Sequence, residues 1–250
     1  MKVLILASGS EGNCIYLEED GSGLIIDAGI SRKRILNGLA EHGISKENVE
    51  AVFITHEHTD HTRGLRILCK YENYPVYASE GTIEKLTYQV PRGDFRSVFI
   101  GTRINGFEIS SLPLPHDAVE PVAYVIEGGG SRMLVATDLG YVTEGVLREI
   151  SRCQAVIFES NHDIEMLNNG PYPEDLKARI LSRWGHLSNK QCAAALKQAH
   201  RGGLNLVILA HLSLENNSPE LALAETAKAL PKSIRVVTAS RRTPTGPFLI

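Results

Sequence analysis

Residues 56–61 read His-Glu-His-Thr-Asp-His. Four of them, His56, His58, Asp60 and His61, can hold a metal, and they follow the apolar run Val52-Phe53-Ile54. That run has the make-up of a buried strand. A strand ending in such a cluster delivers imidazoles and a carboxylate to the rim of a sheet. His56 and His58 converge only where the chain is extended or turning, because a helix would set them about 200° apart. Asp60 and His61 then suit a turn or helix start. A single histidine is more often a satisfied core or surface residue. Three with an aspartate at this spacing point to metal.

Four more polar residues stand just after apolar strands, the position where α/β sheets assemble their sites. His116 follows Ile109–Pro115, Asp138 follows Met133–Thr137, and His211 follows Leu206–Ala210. His162 follows Val156-Ile157-Phe158 after Glu159-Ser160-Asn161. Singly, each reads equally well as a loop residue or strand cap. With the opening cluster they supply donors for two metals and a carboxylate to bridge them. Two divalent ions about 3.5–4 Å apart can hold a bridging hydroxide as nucleophile and stabilise developing negative charge. Such chemistry fits phosphodiesters, thioesters and lactams. A His/Asp donor set suits Zn²⁺, Mn²⁺ or Fe²⁺ without choosing among them.

His186 lies in Trp184-Gly185-His186-Leu187-Ser188, just before a helix start. Ser188 as N-cap and Gln191 three residues later complete a capping box. On spacing alone His186 is equally part of that cap's surroundings or a general acid to a leaving oxygen.

The elements that must position these residues are strands bunched early, then interleaved with helices. Strands are expected at Lys2–Ala7, Cys14–Glu18, Gly23–Asp27, Ala51–Ile54 and Pro75–Ala78. Ser97 to Ala136 reads as mostly β, with Gly128-Gly129-Gly130 as a hairpin turn. Ala155–Phe158, Leu206–Leu209 and a closing strand Ile234–Thr238 complete the set. Helices are expected from Ser31 as N-cap to about His42, and at Thr62–Tyr71, Glu80–Thr87 and Thr143–Ile150. Three more are expected downstream, at Tyr172–Ser182, Ser188–His200 and Pro219–Leu230. The order predicts two sheets with helices outside, an α/β (α+β) fold built as a four-layer αββα sandwich.

At 250 residues the chain can bury a sizeable core. No repeat, linker or low-complexity tract divides it, so one domain over 1–250 is expected. The apolar start, Met1 to Leu6, is too short for a signal peptide or a spanning helix. Cys14, Cys69, Cys153 and Cys192 are scattered without a CxxC pair, which fits reduced thiols in a cytoplasmic protein. The net charge of −3 argues against indiscriminate polyanion binding but leaves local basic patches open. The candidates are Arg32-Lys33-Arg34, the set Arg63, Arg66 and Lys70, the set Lys177, Arg179 and Arg183, and Arg241-Arg242. Each reads as a solvated helix face or tail in preference to a phosphate track.

His56-x-His58-x-Asp60-His61 resembles the HxHxDH signature of the metallo-β-lactamase-fold superfamily, and the likeness runs the length of the chain. The resemblance implies one metal on His56, His58 and His116, a second on Asp60, His61 and His211, and Asp138 bridging them. Asp27, in Ile25-Ile26-Asp27-Ala28-Gly29, matches the superfamily's first motif and is expected to be structural. Asp138 stands where many β-lactamases carry Cys, which speaks against antibiotic hydrolysis. The interval from Asp138 to His211 is too short for the inserted domain of the β-CASP RNA nucleases, and no helical glyoxalase II-type domain follows. Gly185-His186-Leu187-Ser188 looks like the GHxT/S element of the ribonuclease Z and phosphodiesterase branches, whose histidine protonates the leaving group.

The segments Ser8–Cys14, His116–Pro121, Ala136–Thr143, Glu159–Asp163 and His211–Asn217 are similar to those of the bacterial YycJ/WalJ-like group, regarded as DNA exonucleases with a suggested link to DNA repair. The implied function is a binuclear metal-dependent phosphodiesterase acting on DNA. His186 and Asp60 are then the candidate catalytic residues. Asn13, Asn161, His162 and Asn216 are expected to line the substrate groove, with buried hydrogen bonding in turns the equal alternative. A hydrolase of small phosphodiesters or thioesters is the second reading. A non-catalytic metal-binding module is the third, disfavoured because no ligand is missing.

Overall fold

A computed structural model describes residues 1–98 and 101–250. Its strands are β1 (Lys2–Ala7), β2 (Cys14–Glu19), β3 (Ser22–Ile26), β4 (Val49–Phe53), β5 (Pro75–Ala78), β6 (Asp94–Ser97) and β7 (Thr102–Ile104). They continue as β8 (Phe107–Pro113), β9 (Val122–Gly128), β10 (Ser131–Ala136), β11 (Ala155–Glu159), β12 (Leu206–Ala210), β13 (Arg235–Thr238) and β14 (Thr245–Leu249). One sheet has the order β14-β1-β2-β3-β4-β5-β6 and the other β13-β12-β11-β10-β9-β8-β7. Strands β3 to β6 are parallel to one another, as are β10 to β13.

The near-continuous apolar strands follow from burial on both faces. In β1, Val3 and Ile5 enter the core between the sheets, while Leu4 and Leu6 pack outward with Ile35 and Leu39 of the helix Arg32–Glu41. Strands β10 to β12 divide the same way: Val135, Ile157 and Ile208 face the first sheet, and Leu134, Val156 and Val207 meet helices Glu144–Ile150 and Asn189–Ala199. The αββα sandwich is therefore the observed architecture. Across its middle, Phe53 meets Tyr124 edge-on at 5.3 Å. The Tyr124 hydroxyl donates to the Ile54 carbonyl at 2.7 Å, fastening β9 to the chain just ahead of His56.

Four local expectations need revision. The chain closes on β14, an edge strand beside β1, and not on the strand before it. Gly246 and Pro247 hide it in the sequence, and an edge is where a sheet tolerates proline. The helix expected over Thr62–Tyr71 is two, Thr59–Thr62 and Leu65–Tyr71. They separate at Gly64, whose N–H donates to the Ala28 carbonyl at 2.7 Å. A short helix Ile164–Asn169, capped by Asp163, was not expected, nor was β6 as a strand beginning at Asp94. Residues 99 and 100, inside the stretch read as mostly β, lie outside the described residues.

The hairpin between β9 and β10 turns at Gly129 and Gly130, both at positive φ, as their type requires. The expected caps also form. Ser31 accepts from Arg34 N–H, and Ser188 and Gln191 make the full capping box. Among the described residues no helix is long and apolar enough to cross a membrane.

Candidate metal centre

Every candidate ligand sits beyond the carboxyl end of a strand. His56 and His58 follow β4, on a bend that ends where helix Thr59–Thr62 begins with Asp60 and His61 in its single turn. His116 follows β8, Asp138 follows β10 and His211 follows β12. Of five non-glycine residues at positive φ among the described residues, two, Asp20 and Asn105, sit in tight turns between strands, and three leave strand ends at the site: Asp27 (φ 62°), Asp138 (φ 61°) and His211 (φ 55°). Side-chain-bearing residues adopt this conformation at a cost, and such strain gathers at functional sites.

The strand ends are drawn together by backbone contacts that need a glycine. Asn13 N–H donates to the Asp60 carbonyl at 2.7 Å, and Gly29 N–H to the Asn13 carbonyl at 2.8 Å. A Cβ on Gly29 would stand 1.6 Å from the Asp60 carbonyl oxygen.

Three groups of potential ligand atoms result, each within 4.8 Å internally: His56, His58 and His116; Asp60, His61, Asp138 and His211; and Asp138, Glu159, His186 and His211. Asp138 belongs to the last two and reaches toward the first. Its Oδ2 is 3.1 Å from His61 Nε2, and its Oδ1 is 3.2 Å from His211 Nδ1 and 3.9 Å from His116 Nε2. The outer nitrogens are held from behind. Asp27 binds His61 Nδ1 at 2.7 Å and also accepts from the Thr55 N–H and hydroxyl. Glu159 Oε1 is 2.9 Å from His211 Nδ1, the Gly185 carbonyl is 3.1 Å from His116 Nδ1, and the Thr55 hydroxyl is 3.1 Å from His56 Nδ1. Carboxylates and carbonyls in these places fix the tautomer that leaves Nε2 as a metal donor.

The donor set fits a pair of divalent ions. The His56 Nε2 atom is buried and lacks any hydrogen-bond partner, a costly state that a cation would relieve. Burial opposes charge on His61 and His211, yet facing carboxylates prevail and lift both well above the ordinary histidine range. Asp27, Asp138 and Asp60 act on His61; Asp138, Asp60 and Glu159 act on His211. The same histidines hold Asp60 and Asp138 low against their burial. His56 and His116 go the other way, pushed down chiefly by burial. Ligands must be deprotonated, so ions bound here take the place of protons.

His58, Asp60, Asp117 and His186 are the site side chains left partly open. His186 belongs to the cluster: its Nδ1 is 2.8 Å from Glu159 Oε1 and 3.6 Å from Asp138 Oδ1. Glu159 was missed in the sequence. It is fully buried, and its Oε2 accepts from Leu139 and Leu187 N–H at 3.1 and 3.0 Å. Burial alone would raise its carboxyl, but the charge of His186 and hydrogen bonds from His186 and His211 hold it at about 2. A charged residue ending the apolar run Ala155–Phe158 was the available signal.

The four residues expected along the substrate groove are all buried. Asn13 Nδ2 is 3.3 Å from Asp60 Oδ2 and 3.1 Å from His61 Nε2, so it braces the ligands. Asn161 donates to the His211 carbonyl at 2.9 Å. Neither Asn216 nor His162 makes a side-chain hydrogen bond, and His162 borders a cavity of about 390 Å³ beside Leu181 and Lys190. Burial pushes His162 down to about 4, against the pull of Glu159. The folded state thus refuses a proton that the unfolded chain takes up near 6.5. Stability should fall by about 3 kcal/mol as pH drops across that window. Urea unfolding of metal-free protein at pH 7 and pH 4.5 should show this fall shrinking in His162→Gln; an unchanged fall would remove His162 as its source.

Comparison with known proteins agrees with this geometry. A Beta-lactamase superfamily domain model matches residues 24–211. The chain is 37% identical over 232 residues to a Bacillus anthracis protein named exodeoxyribonuclease YycJ, covering 90% of this chain and 88% of that one. It is also 37% identical over 228 residues to exodeoxyribonuclease WalJ of Streptococcus pneumoniae, covering 88% and 85%. Among solved structures, the metallo-beta-lactamase fold protein YhfI from Bacillus subtilis superposes with a TM-score of 0.72 at 18% identity, covering 98% and 99% of the two chains. Zn²⁺-bound PqqB from Methylobacterium extorquens gives 0.70 at 19%, covering 98% and 100%. Both likenesses speak for the fold alone.

Proposed function

Because the chain belongs to the beta-lactamase superfamily, we propose that it is a metal-dependent phosphodiesterase that removes nucleotides from DNA ends. The observation that carries this reading is Asp138 standing between two ligand groups, with a histidine at the open rim that a buried carboxylate holds. The 37% identity to proteins named exodeoxyribonucleases directs it to DNA. We place its work in DNA repair in the cytoplasm, in keeping with four buried free cysteines.

His56, His58 and His116 would hold one ion, Asp60, His61 and His211 the other, with Asp138 shared. Zn²⁺ and Mn²⁺ suit these donors best, and Fe²⁺ is also compatible. The ions would supply Lewis acidity toward the phosphate and activate water as nucleophile. Asp60, hydrogen-bonded to Asn13 and His211 yet partly open, orients the attacking water. His186, bound through Nδ1 by Glu159, keeps Nε2 for the departing sugar oxygen and gives it a proton.

The test is incubation of metal-loaded protein with end-labelled single- and double-stranded DNA. Cleavage should require Mn²⁺ or Zn²⁺, stop on chelation, and fall to background in His58→Ala. Hydrolysis of small phosphodiesters or thioesters with DNA left intact would hand the site to the second reading.

A further inference from the structure

The sequence offered four basic sets, and the structure separates one from the rest. Lys177 pairs with Glu174, Arg179 with Asp117 and Arg242 with Glu11. Arg32 pairs with Glu72, and Arg183 lies over the Tyr141 ring at 4.9 Å. By contrast, Arg63, Arg66 and Lys70 face no carboxylate at ion-pair distance among the described residues, although Lys70 Nζ lies over the Tyr71 ring at 5.1 Å. Arg63 donates only to the Glu11 carbonyl at 3.0 Å. A fourth cation, Arg92, joins them from a distant part of the chain and likewise faces no carboxylate among the described residues.

These four cations line one groove beside the helix turn that also carries Asp60 and His61. Its inner cavity, about 420 Å³, is bordered by Thr59, between His58 and Asp60, and by Arg63, Arg66 and Tyr88. The outer cavity, about 330 Å³, is bordered by Arg66, Lys70 and Arg92. Arg66 and Pro91 line both, which makes the two continuous. Among the described residues no acidic side chain lines either one, in a chain whose net charge is −3. The Tyr88 ring stands in the inner cavity's wall and is 87% exposed.

Unpaired cations in a row suit successive phosphates, and an open aromatic ring suits the face of a base. A base offers its face to such a ring only when it is not stacked in a duplex. We infer that the groove from Thr59 to Arg92 is a track for single-stranded nucleic acid, gripping the strand through Arg63, Arg66, Lys70 and Arg92 and stacking a base on Tyr88. This rests on the nuclease reading and adds to it the form of the substrate and the surface that grips it.

The test compares metal-loaded wild type, Arg66→Ala/Lys70→Ala and Tyr88→Ala on a twenty-nucleotide single strand across a range of salt. The double variant should lose about tenfold or more in kcat/KM. Its log–log salt slope should flatten by about 1.4, near 0.7 for each phosphate no longer neutralised. Tyr88→Ala should lose about fivefold or more on the single strand, with less effect on a blunt duplex. Metal content of both variants should equal wild type, because the groove holds no ligand. Wild type that cleaves DNA while both variants match it in rate and salt slope would overturn the track alone. Wild type that cleaves no DNA would bring down the nuclease reading and the track with it.

Discussion

Asp138→Asn should cut kcat/KM by roughly a thousandfold or more and lower the metal content of the purified protein from two ions toward one or none. Asn is the informative choice because residue 138 lies at φ 61°, a conformation Asn accepts and Ala resists. The fold is thereby kept while the charge is removed. The missing carboxylate faces His61, His211 and His116 together, so both ligand groups forfeit the anion between them. His61 and His211, which Asp138 lifts, should take up protons less readily in the metal-free variant, measurable by NMR titration of the imidazoles. Wild-type activity with two ions retained would remove Asp138 from the shared position.

Glu159→Gln should cost about a hundredfold or more, through the two histidines that Glu159 holds. Its Oε1 serves His186 and His211, and its Oε2 serves two backbone N–H groups. An amide cannot accept on both sides. If the carbonyl stays on the backbone, the NH₂ meets both Nδ1 atoms and drives each ring to the tautomer protonated on Nε2. His211 then loses its free lone pair, and His186 loses the carboxylate that orients its ring. The signature is dependence on the leaving group. Esters with poor leaving groups, which need a proton donor, should suffer far more than nitrophenyl esters, which do not. A uniform decrease across leaving groups would reduce Glu159 to a merely structural role.

The parts of this protein that were legible in its sequence are those whose partners are close in the chain. His56 to His61 lie within six residues, and the Ser188–Gln191 box within four, so local geometry sufficed. The near-continuous apolar runs exposed the two-sheet sandwich because both faces of most strands are buried. Glu159 escaped notice because its four partners, at 139, 186, 187 and 211, converge only after the second sheet forms. Arg92 joins Arg63 and Arg66 for the same reason. The strand β14 was hidden by a residue pair that ordinarily argues against strands. For Asn13, Asn161 and Asn216 the sequence left a groove lining and burial in turns equally open, because loop position alone does not reveal burial; all three are buried, and Asn13 and Asn161 hydrogen-bond beside the ligands.

The ligands come from both sheets, and neither ion would be held by one alone. His56, His58, Asp60 and His61 leave the first sheet, while His116, Asp138 and His211 leave the second. A pair of cations bound there would act as a rivet at one rim of the sandwich. Prising the layers apart there must release both ions, so their affinity becomes cohesion between the halves of the chain. The supply of metal then governs how tightly the protein is closed as well as whether it is active, and scarcity should loosen the rim that carries the chemistry before the rest.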